Sequence, residues 1–467
     1  MRRTKLVCTL GPASERVVPD LVRAGMDVAR VNCSHGTHED HDRLVAAVRE
    51  AEADAARPIA VMADLSGPKV RLGALDDGEV RLDERSTFLL RTEDGAPGTA
   101  DGAPVSHPGL ASDLEEGDRI LLADGAVELR VVATRAGEVV TEVVRGGLVR
   151  SRAGVNVPSE RLGLPTMGAK DRADLDWALA AGVDLVAQSF VRSAEDVDEV
   201  RALCAARDVP VVAKVETSAA VRDAARIVRA ADALMVARGD LGVETVLEEI
   251  PIVQKRLIAS ARAAGIPSIV ATQMLESMVH AERPTRAEVS DVAGAVFDGA
   301  DAVMLSAETA IGDHPVPAAR TAATIAEVAE TEGRSFLPQP IDVESYASDA
   351  HAVAEAAAEI ARDGAAVAIA CFTRTGTTAR LLSAARPRVP ILTLAPDERV
   401  LRRVVLYHGV VPRPSSTPAD TDEMIELLDR GLRETAVAAS GERVVLVASS
   451  PFGHAHTNLL KLHHCGS

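Results

Sequence analysis

Aromatic residues are scarce: one tryptophan (Trp177), two tyrosines and six phenylalanines in 467 residues. Any buried core must therefore be filled by Ala, Val, Leu and Ile, and at 47% apolar content the chain has enough of them for several cores. No uncharged apolar run reaches the roughly 18 residues a membrane-spanning helix needs. Met1-Arg2-Arg3-Thr4-Lys5 passes directly into a run of strand length, so no signal peptide is expected and the expected location is the cytoplasm. Positive charge is also short, with 51 Lys and Arg against 69 Asp and Glu, a net charge of −18. That balance argues against nonspecific binding to nucleic acid or to an anionic membrane, and confines any phosphate site to a local basic pocket. Cys8, Cys33, Cys204, Cys371 and Cys465 are odd in number, scattered and free of Cys-x-x-Cys spacing, so they read as small buried thiols. His35, His38 and His41 lie three apart and imitate a metal tract, but a solvated helix start accounts for His38 and His41. His463 and His464 beside Cys465 are an equally weak signal.

What is present is a set of apolar runs ending in charge. Val211-Val212-Ala213-Lys214-Val215-Glu216 is one, and strand alternation puts Lys214 and Glu216 on the same face. The next ends in Arg238-Gly239-Asp240, adding a second carboxylate beside a glycine that lets backbone amides approach a ligand. Two carboxylates, a lysine and bare amides suit Mg²⁺ with phosphate. Eight such runs occur, at residues 5–10, 28–33, 59–65, 184–190, 210–216, 233–239, 267–273 and 302–306. Between them recur helix ends in a small residue or Gly followed by Asp or Pro, as in Gly25-Met26-Asp27, Gly182-Val183-Asp184 and Gly299-Ala300-Asp301. The run ends carry Thr9, Arg30, Asn32, Asp64, Ser189, Lys214, Glu216, Arg238, Asp240, Thr272, Gln273, Ser306 and Glu308. Polar residues gathered at one end of eight parallel strands predict a (β/α)₈ barrel, whereas an open doubly wound sheet would concentrate them at one switch point.

Breaks in that rhythm predict the domains. The barrel occupies 1–67 and 153–332, and 68–152, with short alternating stretches such as Glu138-Val139-Val140-Thr141, reads as a small inserted β domain able to close as a lid. Residues 333–467 open with a Pro-containing linker, Gly333 to Asp342, and continue as a separate α/β domain with strands expected at 367–373, 391–394 and 443–449. In it, Thr373-Arg374-Thr375-Gly376-Thr377-Thr378 runs from a strand into a helix, so hydroxyls, Arg374 and helix N-terminal amides predict a phosphate site.

Thr4 to Ser14, Gly25 to Gly36, Met235 to Gly242, Ala271 to Met278, Arg283 to Glu288 and Met304 to Ala310 together resemble the pyruvate kinase family, in order and over nearly the whole chain. The resemblance implies phosphoryl transfer from phosphoenolpyruvate to ADP with Mg²⁺, or Mn²⁺ in its place. By it, Glu216 and Asp240 hold the metal, Lys214 neutralises the phosphoryl group in flight and Arg30 clamps phosphate. Gly239, Asp240 and Thr272 bind the substrate carboxylate, while Pro12, Asn32, His35 and Arg71 line the nucleotide side. Thr272, Ser306 and Glu308 stand where the enolate receives its proton. Members that need K⁺ tend to carry Glu at the position of Lys69, near a cation held by residues matching Asn32, Ser34 and Asp64. Lys69 therefore implies independence of K⁺. The threonine-rich loop resembles the family's effector site, implying allosteric activation by a phosphorylated small molecule, and the family typically forms homotetramers. The chain departs from the family at Thr217-Ser218-Ala219-Ala220, at Ala307 and at Ala153, where many members have a nucleotide-facing lysine that neighbouring Arg152 could replace. A metal-dependent aldolase or lyase and a non-catalytic metabolite sensor are the competing readings.

Overall fold

The computed structural model describes residues 1–93, 95–123, 125–158, 161–338, 348–364, 366–449 and 457–467. Residues 339–342 of the expected linker lie outside them. Eight strands form a closed, all-parallel barrel: β1 (Lys5–Leu10), β2 (Val28–Asn32), β3 (Ala60–Leu65), β4 (Leu185–Gln188), β5 (Val211–Val215), β6 (Ala233–Ala237), β7 (Ser268–Ala271) and β8 (Ala302–Leu305), with β1 pairing β8 to close the ring. Six of the eight expected runs overshoot by a residue or two at the charged ends, while those ending at Leu10 and Leu65 stop where the strands do. The clearest case is β6, which stops at Ala237 because Arg238 opens the helix Arg238–Glu244.

The recurrent αβ link has a physical account. Gly25, Gly182 and Gly299 end their helices in the left-handed conformation, with φ of 115°, 72° and 92°. The acid that follows, and Asp232 after Ala231 likewise, accepts one of the first two amides of an adjacent strand: Asp27 takes Leu6 N–H at 2.9 Å, Asp184 takes Val61 N–H at 2.7 Å, Asp232 takes Val211 N–H at 3.0 Å and Asp301 takes Ser268 N–H at 2.8 Å. Each satisfies a strand donor at the barrel floor.

Between β3 and the helix Ala169–Ala181 the chain builds a six-stranded sheet and a two-stranded ribbon around Phe88, Leu90, Ile120 and Leu129, all fully buried. That sheet reaches Val155–Asn156, which pairs antiparallel with Arg119–Leu122, a few residues past the break read at 152. The C-terminal domain is a five-stranded sheet. Ala368–Phe372, Ile391–Ala395 and Arg443–Ala448 match the expected strands, and two more lie at its edges. Val410–Pro414 is parallel and contains two prolines, which an edge tolerates, and Leu459–His464 is antiparallel. This domain grips the barrel floor. Val405 and Leu406 are buried in one cluster with Val7, Met62, Met235 and Met304. Lys5 Nζ donates to the Val410 carbonyl at 2.6 Å, Arg386 pairs with Asp301 at 2.9 Å and Arg402 with Glu52 at 2.9 Å.

Candidate active site

At the C-terminal mouth of the barrel, the ends of β3, β4 and β5 bring four polar side chains, Asp64, Ser189, Lys214 and Glu216, to one point. Lys214 Nζ lies 3.0 Å from Asp64 Oδ1, 3.0 Å from Glu216 Oε1 and 2.5 Å from Ser189 Oγ. Asp64 also receives Arg30 Nε at 2.6 Å, while Arg30 Nη1 donates to Thr9 Oγ1 at 2.9 Å. All of these groups are buried. Burial opposes the Lys214 ammonium, but Asp64 and Glu216 outweigh it and hold its pKa above the ordinary lysine value. Burial likewise works against ionised Asp64, and Lys214 with Arg30 reverses that and keeps its pKa low. Glu216 goes the other way. Its burial, added to repulsion from Asp240 and Asp64, raises its proton affinity despite Lys214. The second Glu216 oxygen takes the Phe190 amide at 2.8 Å, with Phe190 at φ 54°.

Asp240 sits in the first turn after β6, and its Oδ1 is 3.3 Å from Lys69 Nζ at the root of the inserted domain. Lys69 thus meets Asp240, and no described contact joins it to Asn32, Ser34 or Asp64. Asn32 Oδ1 instead accepts the Ser34 amide at 3.1 Å. The Gly239 amide donates to Thr272 Oγ1 at 2.7 Å, and Thr272 holds φ 72°. Arg238, without an assigned role in the sequence, braces this corner by a two-pronged pair with Asp291 at 2.7 Å and a bond to the Thr272 carbonyl at 2.6 Å. Glu308 is fully buried and accepts the amides of Ser306 at 2.7 Å and Leu275 at 3.0 Å, whereas Ser306 Oγ is buried without a partner among the described residues. Thr217, one of the departures, caps the helix Ser218–Arg222 through its hydroxyl.

A cleft of about 470 Å³ opens between this mouth and the inserted domain, lined by His35, Lys69, Arg71, Arg150, Arg152 and Ala153 with no carboxylate. It is the local basic pocket that a chain of net charge −18 requires for an anionic ligand. Burial, then Arg71, Arg30 and Lys69, push the His35 pKa down. Pro12 and Asn32 are not among its lining.

The histidine tract is corrected in part. His38 does begin the helix His38–Ala55, capped by Thr37, but His41 is buried rather than solvated and its Nε2 bonds the His35 carbonyl. His463 is buried against Asp429. Among the described residues no three His, Cys, Asp or Glu are grouped to hold a metal, and all five cysteines are buried and free.

In the C-terminal domain, Thr373 Oγ1 accepts the Gly376 amide, Thr375 bonds Thr377, and Thr378 bonds Thr457. Gly376 has φ 89° and caps the helix Thr377–Ala384. Arg374 is exposed. Thr375, Gly376 and Thr377 face a cavity of about 650 Å³ beneath the barrel floor that also carries Arg201, Arg229, Arg380 and Arg403, with Asp232 paired to Arg201 and Asp208 to Arg403.

Residues 1–319 match the family model for the pyruvate kinase barrel domain and residues 351–463 that for the pyruvate kinase alpha/beta domain. The chain is 43% identical over 470 residues to a pyruvate kinase of Corynebacterium glutamicum, covering 100% of this chain and 98% of that one. It is 43% identical over 474 residues to a pyruvate kinase of Mycobacterium tuberculosis, covering 100% and 99%. A crystal structure of a pyruvate kinase from Cryptosporidium parvum superposes with a TM-score of 0.90 at 32% identity, covering 99% of this chain and 96% of that one.

Proposed function

The chain belongs to the pyruvate kinase family and acts as a phosphotransferase, and from that premise we propose that it moves the phosphoryl group of phosphoenolpyruvate to ADP, giving pyruvate and ATP. The observation that carries this reading is the buried meeting of Lys214, Arg30, Asp64 and Glu216 at the barrel mouth beside a carboxylate-free basic cleft. Glu216 and Asp240 would hold Mg²⁺ or Mn²⁺. Their mutual repulsion is the kind a divalent ion relieves, and two carboxylates with substrate oxygens completing the set is how Mg²⁺ is commonly held. When bound, the ion neutralises charge between donor and moving phosphoryl group.

The side chains account for the rest. Lys214 stays an ammonium and faces the phosphoryl group as its charge spreads. Arg30 is oriented by Asp64 and Thr9 through Nε and Nη1, leaving Nη2 to meet phosphate. Thr272, with the Gly239 and Asp240 corner, receives the substrate carboxylate. The partnerless Ser306 hydroxyl, with Thr272 and Glu308, delivers the proton to the enolate carbon. His35 and Arg71 meet ADP, and Arg152 supplies the cation missing at Ala153.

Three finer readings go with this. The Lys69 ammonium on Asp240 supports turnover without K⁺, so activity should persist when K⁺ is replaced by a large inert cation, and Lys69→Glu should create a K⁺ requirement. The threonine loop above an arginine-lined cavity supports activation by a phosphorylated effector through Thr373 to Thr378, and Thr378→Asp should abolish it. Exposed Val246, Leu247 and Ile252 support an assembly of several copies, a homotetramer by family habit. The primary test is pyruvate formation from phosphoenolpyruvate with and without ADP. Turnover only with ADP supports the kinase, oxo-acid cleavage without ADP supports the lyase, and binding without turnover supports a sensor.

A further inference from the structure

We propose that His41 is a positioning residue for the nucleotide side of the site, acting through the backbone of His35; this rests on reading the basic cleft as the ADP site. His41 Nε2 lies 2.7 Å from the His35 carbonyl oxygen, so that nitrogen carries the proton and donates. Its Nδ1 is buried without a partner, which makes this contact the single polar bond of the ring among the described residues. The ring cannot swing away. It packs on Trp177 at 5.0 Å between centroids, Trp177 donates to Asp42 at 2.8 Å and stacks on His38 at 5.4 Å, and His38 bonds Asp174 at 2.9 Å. Lys170, paired with Asp174, donates to the Cys33 carbonyl at 2.6 Å.

The turn from Cys33 to His35 is thus held at both ends from below, by Lys170 and by His41. Gly36 completes it at φ 80°, where an added Cβ would stand 3.3 Å from His41 Nε2. A buried polar ring with one bond, aimed at the backbone of a residue that lines the cleft, fixes the direction of the His35 side chain before ADP arrives. A histidine serving only as core filler would have no bearing on one substrate more than the other.

Steady-state kinetics against each substrate decide between the two. His41→Phe keeps the ring on Trp177 without a donor, and should raise KM for ADP about tenfold while KM for phosphoenolpyruvate and kcat stay within about twofold. His41→Gln, which keeps an N–H, should recover most of the loss. In a His35→Ala background His41→Phe should have no further effect on KM for ADP. Equal rises in both KM values, an unchanged KM for ADP, no recovery with glutamine, or an undiminished effect in the His35→Ala background would overturn the proposal. His35→Ala alone leaving KM for ADP unchanged would instead remove the nucleotide reading of the cleft. If His41→Phe does not fold by circular dichroism, Gly36→Ala strains the same turn and must show the same ADP-selective rise, or the proposal fails.

Discussion

Lys214 is caged by two carboxylates and a hydroxyl, so its charge is both guaranteed and immobile. Removing a preorganised charge that faces a developing anion costs roughly two to three decades in kcat. Lys214→Met should therefore lower kcat by about a thousandfold, read in a coupled assay on protein whose circular dichroism matches the wild type. Alternation along one strand was enough to place Lys214 and Glu216 on one face. It could not show that Asp64, two strands away, joins Lys214 to Arg30, since strand order and register decide which ends meet. Lys5 carries a different expectation. Burial lowers its pKa from 10.5 to about 8 against the pull of Asp27. Between those values the unfolded chain binds the proton more readily, so stability rises with pH there. Compared with Lys5→Met, urea unfolding of the wild type should gain about 3 kcal/mol between pH 7.5 and 10.5.

At the scale of elements, the acids at the strand starts tie the barrel floor together. Asp301 is buried and holds the Ser268 amide, the Ser268 hydroxyl and Arg386 at once. Asp301→Ala leaves the largely enclosed Arg386 guanidinium with the Gly299 carbonyl but no counter-charge, and the Ser268 amide without its side-chain acceptor, and should cost about 3 kcal/mol in chemical denaturation. The repeated Gly-x-Asp pattern announced the links between helices and strands, but the partner amide lies on a neighbouring strand and no local pattern names it. The same limit explains Arg238, whose fork on Asp291 crosses between two βα units. It also explains the two edge strands of the C-terminal sheet, which lack a plain apolar run because Pro412 and Pro414 interrupt one and Lys461 and the histidines the other.

For the whole molecule, the barrel, the insertion and the C-terminal domain were legible because each changes the period of the apolar pattern. The surface proposed to join copies was not, because an exposed apolar residue looks the same in sequence as a buried one. Leu247 is 72% exposed and Val246 58%. Leu247→Asp should shift the mass seen by light scattering toward the single chain at micromolar concentration, with the far-UV spectrum unchanged.

Val405 and Leu406 complete the hydrophobic packing inside the ring of parallel strands from a domain encoded after it. The catalytic half therefore borrows its foundation stone from its neighbour. A fragment ending at residue 332 would expose an unfinished apolar well, and synthesis of the ring would have to wait for the last third of the polypeptide before it could settle.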